Sequence, residues 1–94
     1  MEAVAHLQGK GFKFGFKLKD KLLECLESGN LYSPDELRIV EYHRFKEKQD
    51  PHEAKVVFAI RTEDGEMGTI VSNYGQKTNW ALLSFLDKVK ILDR

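Results

Sequence analysis

Ninety-four residues carry fifteen basic and fifteen acidic side chains, so no net field steers the molecule toward nucleic acid, an anionic membrane or an acidic substrate. An apolar share of 41% supports one small core and a charged share of 32% a solvated surface, which excludes the composition of a disordered chain. The single cysteine, Cys25, cannot close an internal disulfide, and no apolar run approaches the ~20 residues of a membrane span.

The expectation is therefore a single domain, residues 1–94, in a reducing cytoplasmic compartment and without a membrane partner. The opening Met1-Glu-Ala-Val-Ala-His-Leu-Gln8 lacks the basic start and long apolar centre of a signal peptide.

Residues 2–8 read as a short helix with Val4 and Leu7 inward, ended at Gly9 or Gly11 by a left-handed cap. Phe12, Phe14, Phe16 and Leu18 then alternate with Lys13, Gly15, Lys17 and Lys19. Period two over eight residues is a half-buried strand with its aromatic face inward, and the outward lysines suit a strand near a sheet edge. Asp20-Lys21 is a turn and Leu22 to Leu26 a returning strand.

Ser33-Pro34-Asp35-Glu36 carries a serine cap, proline at the first helical position and an acid three residues after the cap. Strand pattern resumes at Arg38, so the helix is a single turn. From Arg38 to Tyr74 three antiparallel strands follow one another. In the first, Ile39, Glu41, His43 and Phe45 point one way and Val40, Tyr42 and Arg44 the other. The second, Val56 to Ile60, is apolar on both faces and so central. Thr62-Glu63-Asp64-Gly65 supplies the hairpin turn into the third, Met67 to Tyr74. Thr78 or Asn79 caps a closing helix whose apolar stripe is Leu82, Phe85, Leu86, Val89 and Leu92, with Lys88, Lys90 and Arg94 suiting its C-terminal dipole. The predicted class is α+β: a mainly antiparallel sheet of about five strands with a C-terminal helix and a short N-terminal helix packed on it.

Candidate chemistry is sparse. The stretch from Lys10 to Lys17 mixes lysines and phenylalanines and half-matches a motif of RNA-recognition folds, which makes Lys13, Lys17 and Lys19 candidate contacts for single-stranded nucleic acid. Strict alternation puts Phe and Lys on opposite faces, however, whereas a stacking platform needs them together, so core aromatics with solvated lysines is the favoured reading. Glu41 and His43, two apart on one strand face, could form a carboxylate-oriented general base, set against the commoner case of a solvated strand face. Ser28, Ser33, Ser72 and Ser84 lack a nucleophile-elbow context. Cys25 sits on a strand rather than at a helix start and reads as a small core thiol.

His6, His43, His52 and Cys25 have no zinc-type spacing, and Asp50, His52 and Glu53 read as an exposed loop, so no metal is expected. Gly9-x-Gly11 leads into a strand rather than the helix a phosphate cradle requires. Trp80, opening the last helix, is a candidate for a pocket or an interface, though such a residue more often closes a small core.

At Ser33-Pro-Asp-Glu-Leu-Arg-Ile-Val-Glu-Tyr-His-Arg-Phe45, Asp50-Pro51 and Gly68-Thr-Ile-Val-Ser-Asn-Tyr-Gly75, with Phe16 to Asp20 and Cys25 upstream, the sequence resembles a family of small bacterial proteins often labelled phosphoribosylpyrophosphate synthetase. The resemblance covers residues 12–78 and departs from Trp80 onward. It implies no catalytic residue: a true synthetase is several times longer and carries an acidic pyrophosphate-ribose loop, whereas Thr62-Glu-Asp-Gly65 reads as a plain hairpin turn. The leading expectation is a non-enzymatic binding or interaction module without a cofactor, its partner another protein or a second copy through an edge strand or Trp80. The alternatives are single-stranded nucleic-acid binding through residues 12–19 and a small enzyme using Glu41 and His43.

Overall fold

Apolar alternation drives most of this chain into strands. The computed structural model describes residues 2–46, 54–74 and 80–91. In chain order these give helix α1 (Glu2–Gly9), strands β1 (Phe14–Lys19), β2 (Leu22–Cys25) and β3 (Leu31–Tyr32), and a single 3₁₀ turn (Pro34–Glu36). The long strands β4 (Leu37–Lys46), β5 (Ala54–Thr62) and β6 (Met67–Tyr74) follow, then helix α2 (Trp80–Asp87) and strand β7 (Lys90–Ile91). The strands form one mixed sheet in the order β3-β2-β1-β6-β5-β4-β7, curled into a half-barrel.

This corrects the expected fold class. The sheet has seven strands rather than about five, two of its neighbour pairs (β1 with β6, β4 with β7) are parallel, and the protein is mostly sheet. In place of a long C-terminal helix, α2 stops at Asp87. The Lys88 and Val89 N–H groups bond the Phe85 and Leu86 carbonyls at 3.1 and 3.0 Å, tightening the last turn, and Lys90–Ile91 turns outward to pair with Arg38 and Ile39. Val89 is buried in the core from beyond the helix end. The expected caps Thr78 and Asn79, and Leu92 and Arg94, lie outside the described residues, as do Asp50, His52 and Glu53. β1, expected near a sheet edge, is third in the order, between β2 and β6.

Both faces of the sheet carry a core. On one, Phe16, Leu23, Ile39, Val56, Phe58, Ile60 and Ile70 pack against Leu82, Phe85 and Leu86 of α2. On the other, Leu7 of α1 and Phe12 pack against Val57 and Ala59, with Val40, Met67 and Val71 at the margin. β5 is therefore buried on both sides, as its uninterrupted apolar sequence requires. Gly11 (φ +103°) ends the α1 turn and Gly65 (φ +93°) the β5–β6 hairpin, where a side chain would be strained.

Two local features position the rest. In β4 the register shifts between Ile39 and Glu41: Ile39 faces Ile60, and Glu41 faces Ala59, with Val40 as the extra residue. After this bulge Glu41 and His43 lie on the α1 face, opposite Ala59 and Val57, while Tyr42 and Arg44 lie on the α2 face, opposite Phe58 and Val56. Strict alternation had grouped Ile39 with Glu41 and His43; the bulge separates them. The second feature is the joint between β1 and β6, which consists of the pairs Phe14–Gly68 and Gly15–Thr69.

Candidate functional site

The sequence-predicted pair Glu41 and His43 does come together. His43 Nε2 lies 2.8 Å from Glu41 Oε1, and Lys10 Nζ, at the end of α1, reaches both oxygens of Glu41 at 3.4 and 3.3 Å. The His43 imidazole and the Lys10 ammonium hold the Glu41 carboxyl below the usual carboxylate range. The His6 ring meets His43 edge-on at 6.4 Å. The cluster ties α1 to β4, and the three cavities described below open on the opposite face of the sheet. A general base needs a cavity for its substrate, and Glu41 and His43 line none of those three.

The basic-aromatic strand divides differently. Phe12 and Phe16 are buried in the two separate cores and Phe14 is half-buried, so their rings do not form an exposed stacking surface. Lys13 is exposed, while Lys17 and Lys19 lie 3.4 and 3.9 Å from the carboxylate of Glu24 on the neighbouring strand.

A polar cluster invisible to sequence reading closes one end of the curl. The Tyr32 hydroxyl lies 3.0 Å from Asp64 Oδ2 and in contact with Glu66, and Glu66 also accepts from Ser28 Oγ and Asn30 Nδ2 at 3.1 Å each and from Cys25 Sγ at 3.5 Å. Burial and the two neighbouring carboxylates raise the Tyr32 phenol pKa, the Tyr32 O–H lowers that of Glu66, and the Thr62 O–H lowers that of Asp64. A phenol has one proton and serves one carboxylate at a time. The cluster's evident work is to latch the β5–β6 hairpin to the β2–β3 connection. Cys25, read as a core thiol, is fully buried beneath it.

The outward-facing feature is apolar. Trp80 is 73% exposed, Ile91 57% and Tyr42 56%. This corrects the reading of Trp80 as a core-closing residue: the first turn of α2 holds it away from the buried stripe of Leu82, Phe85 and Leu86. Phe58, nearly buried, lies among the three; its ring centroid is 6.1 Å from that of Tyr42. A cavity of about 440 Å³ lies between Trp80, Leu83, Ile91, Ile39 and Phe58, and a second of about 260 Å³ between Tyr42, Arg44, Val56 and Phe58. The two share Phe58 as a wall.

Against family models, curated proteins and solved structures, the chain finds no match.

The exposed face therefore has to be read from its own chemistry. Sequence reasoning flagged Trp80 and missed Tyr42, Phe58 and Ile91, because the three are distant in sequence and meet only when β7 and α2 close over β4 and β5. The one available signal was Tyr42 on the opposite strand face from Glu41. Among the described residues no group of three or more His, Cys, Asp or Glu side chains is arranged to hold a metal ion, and no helix is long and apolar enough to cross a membrane.

Proposed function

We propose that this chain is a small non-enzymatic interaction module that receives an extended segment of a protein partner on the face made by Tyr42, Phe58, Trp80 and Ile91. The observation that carries the reading is the joint exposure of three large apolar side chains around one nearly buried ring, a patch of the kind that marks interaction sites. Trp, Tyr and a neighbouring Arg are also the residue types that dominate binding hot spots.

The backbone supports the same mode. β4 pairs with β7 only at Arg38 and Ile39, and from Glu41 to Lys46 no strand among the described residues pairs with its outer edge. A partner strand added there makes main-chain hydrogen bonds while alternate side chains enter the two cavities. Arg44 lines the face without an ion pair among the described residues, which favours a segment that alternates apolar with acidic residues. The free, buried thiol of Cys25 suits a reducing, cytoplasmic setting.

The test is selection of phage-displayed peptides on the immobilised protein. Enriched sequences should alternate apolar and acidic residues, and a labelled synthetic representative should bind Tyr42→Ala and Trp80→Ala at least tenfold more weakly by fluorescence anisotropy. Peptides that bind both variants as well as the parent protein would refute the assignment of this face.

A further inference from the structure

On the other side of α2 lies a larger groove, of about 600 Å³, within the usual range of small-molecule sites at roughly 300–1,000 Å³. We propose that it binds a small organic phosphate, a phosphate monoester carrying an apolar or aromatic body. The groove runs between α2 and the β1–β2 turn and shares only Ser84 with the cavities of the Trp80 face.

The charge balance of its lining identifies the ligand class. Lys21 at the β1–β2 turn, Arg38 at the start of β4, Lys88 after α2 and Lys90 in β7 all line it, against two carboxylates, Asp20 and Asp35. Four cations less two anions leave an excess of two positive charges, in a molecule whose total charge is zero. Lys21, Lys88 and Lys90 have no ion pair among the described residues. Such a concentration of like charge on a concave surface is self-repelling until an anion enters, and a phosphate monoester near neutral pH carries close to the matching charge.

Arg38 is preset for the task. Its Nη1 donates to the backbone carbonyls of Asp35 at 3.0 Å and Leu37 at 2.6 Å, which fixes the guanidinium plane and leaves its other N–H groups to a ligand. A held, planar fork is the side-chain geometry that matches phosphate oxygens. Leu18, Pro34, Ala81 and Phe85 complete the lining with apolar surface, so the site suits an ester better than the bare ion.

The experiment is an amide chemical-shift titration of the whole labelled protein with 1-naphthyl phosphate, with inorganic phosphate and neutral 1-naphthol in parallel. Shifts should centre on residues 18–21, 34–38 and 81–90, and the ester should bind at least tenfold more tightly than either fragment. Lys88→Glu with Lys90→Glu should weaken the ester at least tenfold, while Lys13→Glu with Lys17→Glu, the same change in net charge away from the groove, should change it less than twofold. Where the first double variant does not fold, Lys21→Glu on the opposite wall, set against Lys13→Glu alone, makes the same charge-matched comparison. Equal losses in both charge-reversal pairs, shifts centred elsewhere, or naphthol binding as tightly as the ester would each overturn the proposal. So would binding to vesicles containing phosphatidic acid without any response to the soluble ester.

Discussion

Gly68 is the position at which one added carbon should do the most damage. It lies in β6 opposite Phe14, in one of the two residue pairs that join β1 to β6. A Cβ at Gly68 would stand 2.5 Å from the Phe14 carbonyl oxygen, 2.8 Å from the carbonyl carbon and 2.7 Å from Cε2 of Phe16. Non-bonded carbons settle at about 3.5–4.0 Å, so the carbon–carbon overlaps reach roughly 0.7 Å or more. Two of the three atoms are backbone and cannot rotate aside, and the third belongs to a ring held in the core. Overpacking of this kind costs about 1–3 kcal/mol, and the backbone contact puts Gly68→Ala near the upper end. Reduced freedom of the unfolded chain returns about 0.4–1 kcal/mol, leaving a net loss of about 2 kcal/mol. At about 4–8 °C per kcal/mol for a domain of this size, Tm should fall by about 8–16 °C. Thermal unfolding followed by far-ultraviolet circular dichroism measures it. Gly9→Ala is the control, since an added Cβ there meets nothing within 4 Å, and Tm should hold or rise slightly. A Gly68→Ala protein melting within about 2 °C of the parent would show that β1 does not approach β6 this closely.

Tyr32→Phe removes the hydroxyl shared by Asp64 and Glu66 and should lower stability by about 1–2 kcal/mol in urea unfolding, with an unchanged midpoint counting against the latch. The same cluster shapes the pH dependence. Asp64 and Glu66 are held below their ordinary range, so their contribution is complete above about pH 4–5 and is lost as pH falls through the lower folded values. The Tyr32 phenol is held above its ordinary value, so its contribution is present below about pH 10 and is lost as pH rises further. Tyr32→Phe should abolish the alkaline loss; an identical alkaline limb would refute that assignment. Ser72→Ala should raise stability by about 1 kcal/mol, because the buried Ser72 hydroxyl has no hydrogen-bond partner among the described residues and its burial carries a desolvation cost; a lower Tm would mean that the hydroxyl is satisfied.

What the sequence revealed follows the range of its signals. The run from β4 to β6 was readable because β6 alternates at period two, β4 does so on either side of its bulge, β5 is apolar on both faces, and Thr62 to Gly65 forms a tight turn between the last two. Ser33 to Glu36 was readable as one turn because the Glu36 carboxylate reaches back to the Ser33 N–H at 2.9 Å, a contact spaced within four residues. β3 and β7, two residues each, are too short to show any period. The β1–β6 pairing is parallel and distant in sequence, so nothing near Phe14 announces Gly68. Glu41 and His43 were legible as neighbours from spacing alone, but Lys10 and His6 join them only through α1 and the Val40 bulge. Trp80 illustrates the limit most plainly: an aromatic at a helix start has the same sequence signature whether it faces the core or the solvent.

The outer edge of β4 from Glu41 to Lys46, unpaired among the described residues, has a consequence for solubility. An unpaired strand edge beside exposed Trp and Tyr rings is the usual template for runaway sheet growth. Here the ladder breaks its period at Val40, and the strand beyond the break carries the charged Glu41 and Arg44. A bulge twists the edge away from a flat approach, and the charges penalise a register in which identical strands stack. The edge is thus open to a strand of complementary sequence and closed to endless copies of itself. Substitutions that straighten the strand or remove its charges should therefore show first as aggregation, well before any loss of fold.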